Sequence, residues 1–471
     1  MLHTRKAFEP DAGNFNQIDY VRKGMVLMKH ISASEVRPTI SRHMLADGFD
    51  MVLDLQKSKG SFIHDALADR DYLDLFSFFA SAPLGMNHPS LCTGEFRKHL
   101  ADVAINKPSN SDFYTKEMAE FVRTFADTVI PDSHPYLFFV SGGALAVENA
   151  MKAAFDWKVR QNMEAGRGEI GSRVIHFRNA FHGRSGYTLS LTNTADPRKY
   201  MYFPRFDWPR VGCPAITFPL EENLEAVEEA ERVSLEQIDR AVSEHGHDIA
   251  CLVIEPIQGE GGDNHFRPEF LQQLRKRADR HEFLLIFDEI QTGVGLTGDW
   301  WAWQSLGVEP DIFCFGKKTQ VCGLASNKRI DSVEKNVFHE SSRINSTWGG
   351  SLVDMVRCSM MLKIMVEEST LENVRHRSVT LLEGLKVLQD RHGGGITNVR
   401  GRGLMCAFDL PDGEIRDRMV REVLNNGAII LPCGTRSIRF RPPLNITEEE
   451  IISGLDMISR AADTVLGDQR R

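Results

Sequence analysis

A chain of 471 residues is longer than one ordinary hydrophobic core, and at roughly 100–200 residues per domain it should divide into two or three domains. With 42% hydrophobic and 26% charged residues it has the composition of a folded globular protein, which excludes a disordered chain. A net charge of −9 argues against nucleic acid or an anionic membrane as the main partner.

The first residues, Met1 to Pro10, hold no apolar stretch of signal-peptide length, and no run approaches a membrane span. The eight cysteines stand singly, with no C-x-x-C pair, as reduced, buried thiols of a cytoplasmic protein do. His281-Glu-Phe-Leu-Leu285 lacks the second histidine of a zinc site and no G-x-S-x-G elbow occurs, so no metal is expected.

In chain order, residues 1–85 read as a mixed N-terminal segment with an alternating Met51-Val-Leu-Asp-Leu55 and Tyr72–Phe76. Five short apolar runs follow: Tyr136–Val140, Val174–Phe177, Cys251–Ile254, Leu284–Phe287 and Ile312–Phe315. Helical patterns lie between them at Ala146–Arg160 and at Pro268–Arg280, the latter with Phe270, Leu271, Leu274 and Ala278 on one face. This alternation predicts a parallel sheet covered on both faces. After Gly349-Gly350 come two long helices, Met355–Glu367 and Leu371–Asp390. Beyond them lie a strand at Leu404–Phe408, a helix at Glu414–Asn426 with Gly427 after it, and strands around Ile429 and Ile438.

Chemistry concentrates where apolar runs end. Asp288 follows one run and Lys317 another, at the strand ends where open α/β sheets place ligands. Pyridoxal phosphate catalysis needs such a pair, a lysine for the Schiff base and a carboxylate for the pyridinium nitrogen; a buried ion pair would need the same two residues. Phe139-Val-Ser-Gly-Gly-Ala144 reads as a strand-to-helix turn or an anion cup at a helix N-terminus. Ala180-Phe-His-Gly-Arg184 offers an aromatic cover and a guanidinium that can grip a carboxylate, or a core phenylalanine and a surface arginine. Glu255-Pro-Ile-Gln-Gly-Glu260 sets acids beside glycine-rich backbone, or forms a solvated loop. In Ser437-Ile-Arg-Phe-Arg441 the two arginines share one strand face, as an exposed edge or as a carboxylate receptor.

Together and in this order, these motifs resemble the class III, fold-type-I pyridoxal-phosphate aminotransferases, from about Val36 to the C-terminal part. Asn106–Asp112, Ala180–Tyr187, Phe315–Gly323 and Gly401–Ala407 narrow the likeness to the branch acting on the ε-amine of lysine. After Lys317 the chain departs from the glycine-rich sequence common in the class and is similar to the lysine and 4-aminobutyrate branches. The resemblance implies an α/β fold, with a large domain (86–350) built on a mostly parallel central sheet covered by helices. A smaller α/β C-terminal domain (351–471) would pack with the N-terminal segment (1–85).

It also implies residue roles. Lys317, not its neighbour Lys318, would form the Schiff base with pyridoxal 5'-phosphate, and Asp288 would pair with the ring nitrogen. Gln291 would reach the ring hydroxyl and Phe181 would stack on the ring. Gly143 and Ala144 would hold the phosphate, with Thr347 of a second subunit completing the site of a homodimer. The expected reaction moves the ε-amino group of L-lysine to 2-oxoglutarate. Alternatives are a 4-aminobutyrate or ornithine transaminase, and a catalytically silent binding protein of the same fold. One site must then admit an ω-amine and a dicarboxylic keto acid in turn. Arg184 suits the distal carboxylate of either and Arg439 the α-carboxylate of the keto acid. Glu260 is expected to neutralise Arg439 while lysine is bound, since an unpaired buried arginine is costly.

Overall fold

The computed structural model describes residues 31–467; the part of the expected N-terminal segment before residue 31 lies outside the described residues. The described residues form two compact units, one of residues 31–54 and 65–70, the other of residues 55–64 and 71–467. In the first, Ala33–Ser41 is helical. Glu35 Oε2 accepts the backbone N–H of Ser32 at 3.0 Å and its hydroxyl at 2.7 Å, which satisfies donors that a helix N-terminus leaves free. The alternating Met51–Leu55 does not pair as a strand. Only an isolated bridge joins Leu53 to Asp65, and Asp65 Oδ1 takes the Val52 N–H at 2.8 Å.

The second unit is built on a seven-stranded sheet in the spatial order Tyr136–Val140, Cys322–Ser326, Ile312–Phe315, Leu284–Asp288, Ile249–Ile254, Arg173–Phe177, Arg210–Val211. All neighbours are parallel except the two pairings made by Cys322–Ser326, which runs against both of its neighbours. Every residue of Ile249–Ile254, Leu284–Asp288 and Ile312–Phe315 is buried. Continuous apolar runs are required when both sheet faces are covered. The covering helices include Gly143–Glu164 and Pro268–Arg280, the latter burying Phe270, Leu271, Leu274 and Ala278 as its spacing predicts.

A four-stranded antiparallel sheet follows, in the order Thr397–Arg402, Met405–Asp409, Ser437–Phe440, Leu431–Cys433. Helices Thr370–His392, Gly413–Asn426 and Glu448–Gly467 accompany it. Asp412 caps the Gly413 helix by accepting the Ile415 N–H at 2.8 Å. Gly427 ends it at φ 103°, a left-handed position that glycine takes without strain. The mixed α/β architecture with a large, mostly parallel sheet is the one expected from the sequence. No helix among the described residues is long and apolar enough to cross a membrane.

Candidate active site

The parallel strands all end on one side, and their registers bring those ends level: Cys314 pairs with Asp288, and Phe287 with Ile254. Lys317, Asp288, Glu255 and the loop after Phe177 therefore converge from separate parts of the chain, at the edge where such sheets present their ligands.

Lys317 sits in a one-turn 3-10 helix with φ +51°, a left-handed backbone that an unbranched L-residue adopts only under constraint. Gly316 makes the turn possible, because a Cβ there would lie 2.8 Å from Cys322 Sγ and 3.1 Å from Ile290 Cδ1. Burial, with Arg439 and Arg441 nearby, brings the Lys317 amine down from 10.5 to about 8 against the opposing pull of Asp288 and Glu255. Its Nζ makes no hydrogen bond to any described residue. The neighbouring lysine is occupied: Lys318 Nζ donates to the carbonyl oxygens of Gln291 at 2.6 Å and Gly293 at 2.5 Å. Only one of the two amines is thus left available.

Asp288 is buried, and its Oδ2 accepts from His182 Nδ1 at 2.8 Å while Oδ1 accepts the Ile290 N–H at 3.1 Å. Burial disfavours the His182 cation, yet the hydrogen bond and charge of Asp288 outweigh it and raise the histidine above its ordinary value. His182 Nε2 is buried without a partner among the described residues. Glu255 lies alongside and takes the N–H groups of Phe181 and Gly259, both at 3.0 Å. Burial pushes its carboxyl up to about 7. Gln291 Oε1 accepts from Arg441 Nη2 at 3.0 Å and Nε at 3.2 Å. Arg441 is itself fixed by Asp263, at 2.5 and 2.9 Å. The Gln291 carbonyl oxygen is thereby taken and its amide NH2 remains as a donor. Gly259 allows this approach, since a Cβ there would stand 2.2 Å from Gln291 Oε1.

Gly142, at φ 112°, turns the chain into the Gly143–Glu164 helix. The first N–H groups of that helix, Gly143 and Ala144 among them, have no acceptor within it and carry its positive end. The Phe181–Arg184 loop lies directly against this end: a Cβ on Gly183 would fall 2.4 Å from Ala144 Cβ.

Farther out, Arg439 Nη2 donates to Glu260 Oε2 at 2.6 Å, and Lys199 Nζ donates to Glu260 Oε1. Arg439 is 3% exposed, and its Nε and Nη1 have no partner among the described residues, an arrangement that leaves a buried cation ready for an anion. Arg184 and Thr347 are exposed in the single chain, and neither side chain bonds to another described residue. The structure therefore brings together Lys317, Asp288, Gln291, Phe181, Gly143, Ala144, Glu260 and Arg439, and leaves the Arg184 and Thr347 side chains exposed in the single chain.

Pyridoxal phosphate calls for an amine of lowered basicity, a carboxylate for its ring nitrogen, a donor for its ring oxygen and N–H groups for its phosphate. The residues present fit those demands: the unpartnered Lys317 amine, Asp288, the Gln291 amide, and the helix end at Gly143 and Ala144. Sequence reasoning missed His182, Asp263 and Lys199. His182 sits inside a stretch that was already conspicuous, whereas Lys199 lies 61 residues before Glu260 with no local signal.

The family model described as aminotransferase class-III matches residues 44–462. The chain is 52% identical to the L-lysine-epsilon aminotransferase of Amycolatopsis lactamdurans, over 91% of this chain and 95% of that one. It is 31% identical to the mitochondrial 4-aminobutyrate aminotransferase of Homo sapiens, over 85% of this chain and 82% of that one. Among solved structures, the lysine aminotransferase from M. tuberculosis in the internal aldimine form superposes with a TM-score of 0.91 at 49% identity, covering 92% of this chain and all of that one.

Proposed function

The chain belongs to the class III aminotransferases, which are pyridoxal-phosphate enzymes, and from that premise we propose that it transfers the ε-amino group of L-lysine to 2-oxoglutarate. The products are L-glutamate and 2-aminoadipate 6-semialdehyde, whose amine and aldehyde share one short chain and cyclise. Likeness to L-lysine-epsilon aminotransferase at 52% identity, against 31% for a 4-aminobutyrate enzyme, supports lysine as the donor. The observation that carries the two-substrate reading is Arg439: buried, held by Glu260 through one nitrogen, and unpartnered at two others.

When bound, pyridoxal phosphate supplies the carbon that carries the amino group and a ring that withdraws electrons from the substrate carbon. The chain supplies the rest. Lys317 Nζ, its basicity lowered by burial, would take the proton from the substrate's ε-carbon and hold it for return. Asp288, oriented by His182, holds a proton on the ring nitrogen. The Gln291 amide, fixed through Arg441, donates to the ring oxygen. Phe181 covers the ring and excludes water, while the N–H groups of Gly143 and Ala144 hold the phosphate.

Arg184 grips the carboxylate distant from the reacting carbon in both substrates. With lysine bound, an apolar methylene occupies the space beside Arg439, and Glu260 neutralises the guanidinium. With 2-oxoglutarate bound, its α-carboxylate replaces Glu260 on Arg439. The working unit in this reading is a cytoplasmic homodimer in which Thr347 of one subunit completes the phosphate site of the other.

Rapid mixing of the pyridoxal-phosphate enzyme with single amines tests the donor. L-Lysine should bleach the visible absorbance faster than 4-aminobutyrate or ornithine, by a factor on the order of 100, since a site built around particular polar groups discriminates at least that well. A faster reaction with either rival would overturn the donor assignment. A purified chain that takes up no added cofactor would overturn the enzyme reading altogether.

A further inference from the structure

Glu260 has two cationic partners. Its Oε2 meets Arg439 Nη2 at 2.6 Å and its Oε1 meets Lys199 Nζ, so the carboxylate bridges an arginine of the C-terminal antiparallel sheet and a lysine on the loop after Leu191. Lys199 has no other hydrogen-bond partner among the described residues, its side chain is only 16% exposed, and its ammonium stands 5.8 Å from the centre of the Phe181 ring. Burial alone would lift the Glu260 carboxyl; the two cations together hold it below its ordinary value.

A carboxylate that must leave Arg439 each time a keto acid arrives faces a physical difficulty. Its side chain is only 25% exposed, so a detached Glu260 would be a poorly solvated anion beside the incoming substrate's own carboxylate. Removing one partner of a buried pair is costly because the other charge is left behind. The second cation removes that difficulty, since Oε1 can stay on its ammonium while Oε2 gives up the guanidinium.

We propose that Lys199 is a positioning residue for acceptor specificity, holding Glu260 in both states so that the Arg439 guanidinium can be released to a dicarboxylate. The inference rests on the Glu260–Arg439 exchange set out above and extends it to a third residue. Lys199 acts through Glu260 and touches neither the cofactor nor the reacting carbon. Without it, Glu260 has Arg439 as its sole cation and competes harder with the acceptor's α-carboxylate. The donor state, in which Glu260 stays on Arg439, is hardly disturbed.

The test compares Lys199→Met, Lys199→Arg and Glu260→Gln in the cofactor-loaded enzyme, with two readouts. The first is calorimetric binding of glutarate, an unreactive dicarboxylate, against hexanoate, which has only the distal carboxylate. The second is the KM of each half-reaction measured separately. Lys199→Met should weaken glutarate and raise the 2-oxoglutarate KM by about tenfold, the scale of one lost charge interaction. Hexanoate affinity and the donor KM should move far less, and Lys199→Arg should restore glutarate binding. In the Glu260→Gln background Lys199→Met should leave glutarate affinity unchanged, because the lysine acts through that carboxylate. If Glu260→Gln leaves both half-reactions unchanged, the Glu260–Arg439 exchange itself is wrong. If Glu260→Gln separates the half-reactions but Lys199→Met shifts both alike, or neither, only the role given to Lys199 is overturned.

Discussion

A lysine with its amine near 10.5 is almost wholly protonated at neutral pH and has no lone pair to offer. At Lys317 burial removes the water that stabilises the ammonium, and Arg439 and Arg441 add positive charge, so the amine drops to about 8. The neutral form is the reactive one, so the rate at which cofactor-stripped protein captures pyridoxal phosphate should rise by about tenfold per pH unit below that value and flatten above it. Stopped-flow absorbance across the pH range would show the midpoint near 8. Removing one nearby cation by Arg439→Gln should move that midpoint upward. A midpoint unchanged from that of an exposed lysine would mean that the surroundings do not tune the amine. Lys318, equally close in sequence, is excluded from this chemistry by its two carbonyl acceptors. Lys318→Met should loosen Gln291 and Gly293 without removing the capture reaction.

At the scale of elements, the proposed phosphate end depends on how closely a loop approaches a helix. Gly183, at φ +126°, packs on the first turn of the Gly143 helix, where a methyl group would meet Ala144 Cβ at 2.4 Å, Ala144 Cα at 2.9 Å and Thr188 Oγ1 at 2.9 Å. Gly183→Ala must shift the loop that carries Phe181 and Arg184, at a strain of about 1–3 kcal/mol. If that strain falls on the bound state, pyridoxal phosphate affinity drops by roughly tenfold to a hundredfold. Absorbance titration would measure this, and the thermal midpoint of the cofactor-free protein should change less than that of the loaded one. Equal affinity in the variant would show that the loop has room to spare.

The same elements show what the sequence could reveal. The five apolar runs were legible because a strand covered on both faces can carry almost nothing else, and Pro268–Arg280 because its four core residues keep helical spacing. Leu220–His245 was missed although it runs 26 residues. Few of its positions are buried, two of those are Glu231 and Ser234, and acids recur along the rest. Cys322–Ser326 carries no strand signal in sequence because Cys-Gly-Leu-Ala-Ser has little strand propensity; its place between two strands makes it one. In the site, Asp288 and Lys317 stood out because each ends an apolar run. Lys199 and Asp263 acquire meaning only once folding sets them against Glu260 and Arg441.

For the whole molecule, Thr347 poses the question of how many chains make one site. Its loop is anchored within its own chain: Ser111 Oγ donates to the Ser346 carbonyl at 2.5 Å, Asn110 Nδ2 to the Gly350 carbonyl at 3.3 Å, and the Lys107 ammonium stands 4.3 Å from the centre of the Trp348 ring. Yet Thr347 itself is exposed, bonds to no described residue, and adjoins Trp348 at 41% exposure. An anchored loop that displays a hydroxyl beside an exposed aromatic is suited to serve a neighbour. If it serves the second subunit's phosphate site, each site takes Lys317 from one chain and Thr347 from the other. A hybrid of one Lys317→Ala chain and one Thr347→Ala chain then contains one site with both native residues and one with neither. Isolated through different affinity tags on the two chains, that hybrid should regain about half the activity of the native dimer, as two-fold symmetry requires of one intact site in two. It should also bind one equivalent of pyridoxal phosphate with native affinity. If Thr347 instead serves its own chain, no site in the hybrid is complete. The hybrid would then do no better than the Thr347→Ala homodimer, whose cofactor affinity sets the baseline for the comparison.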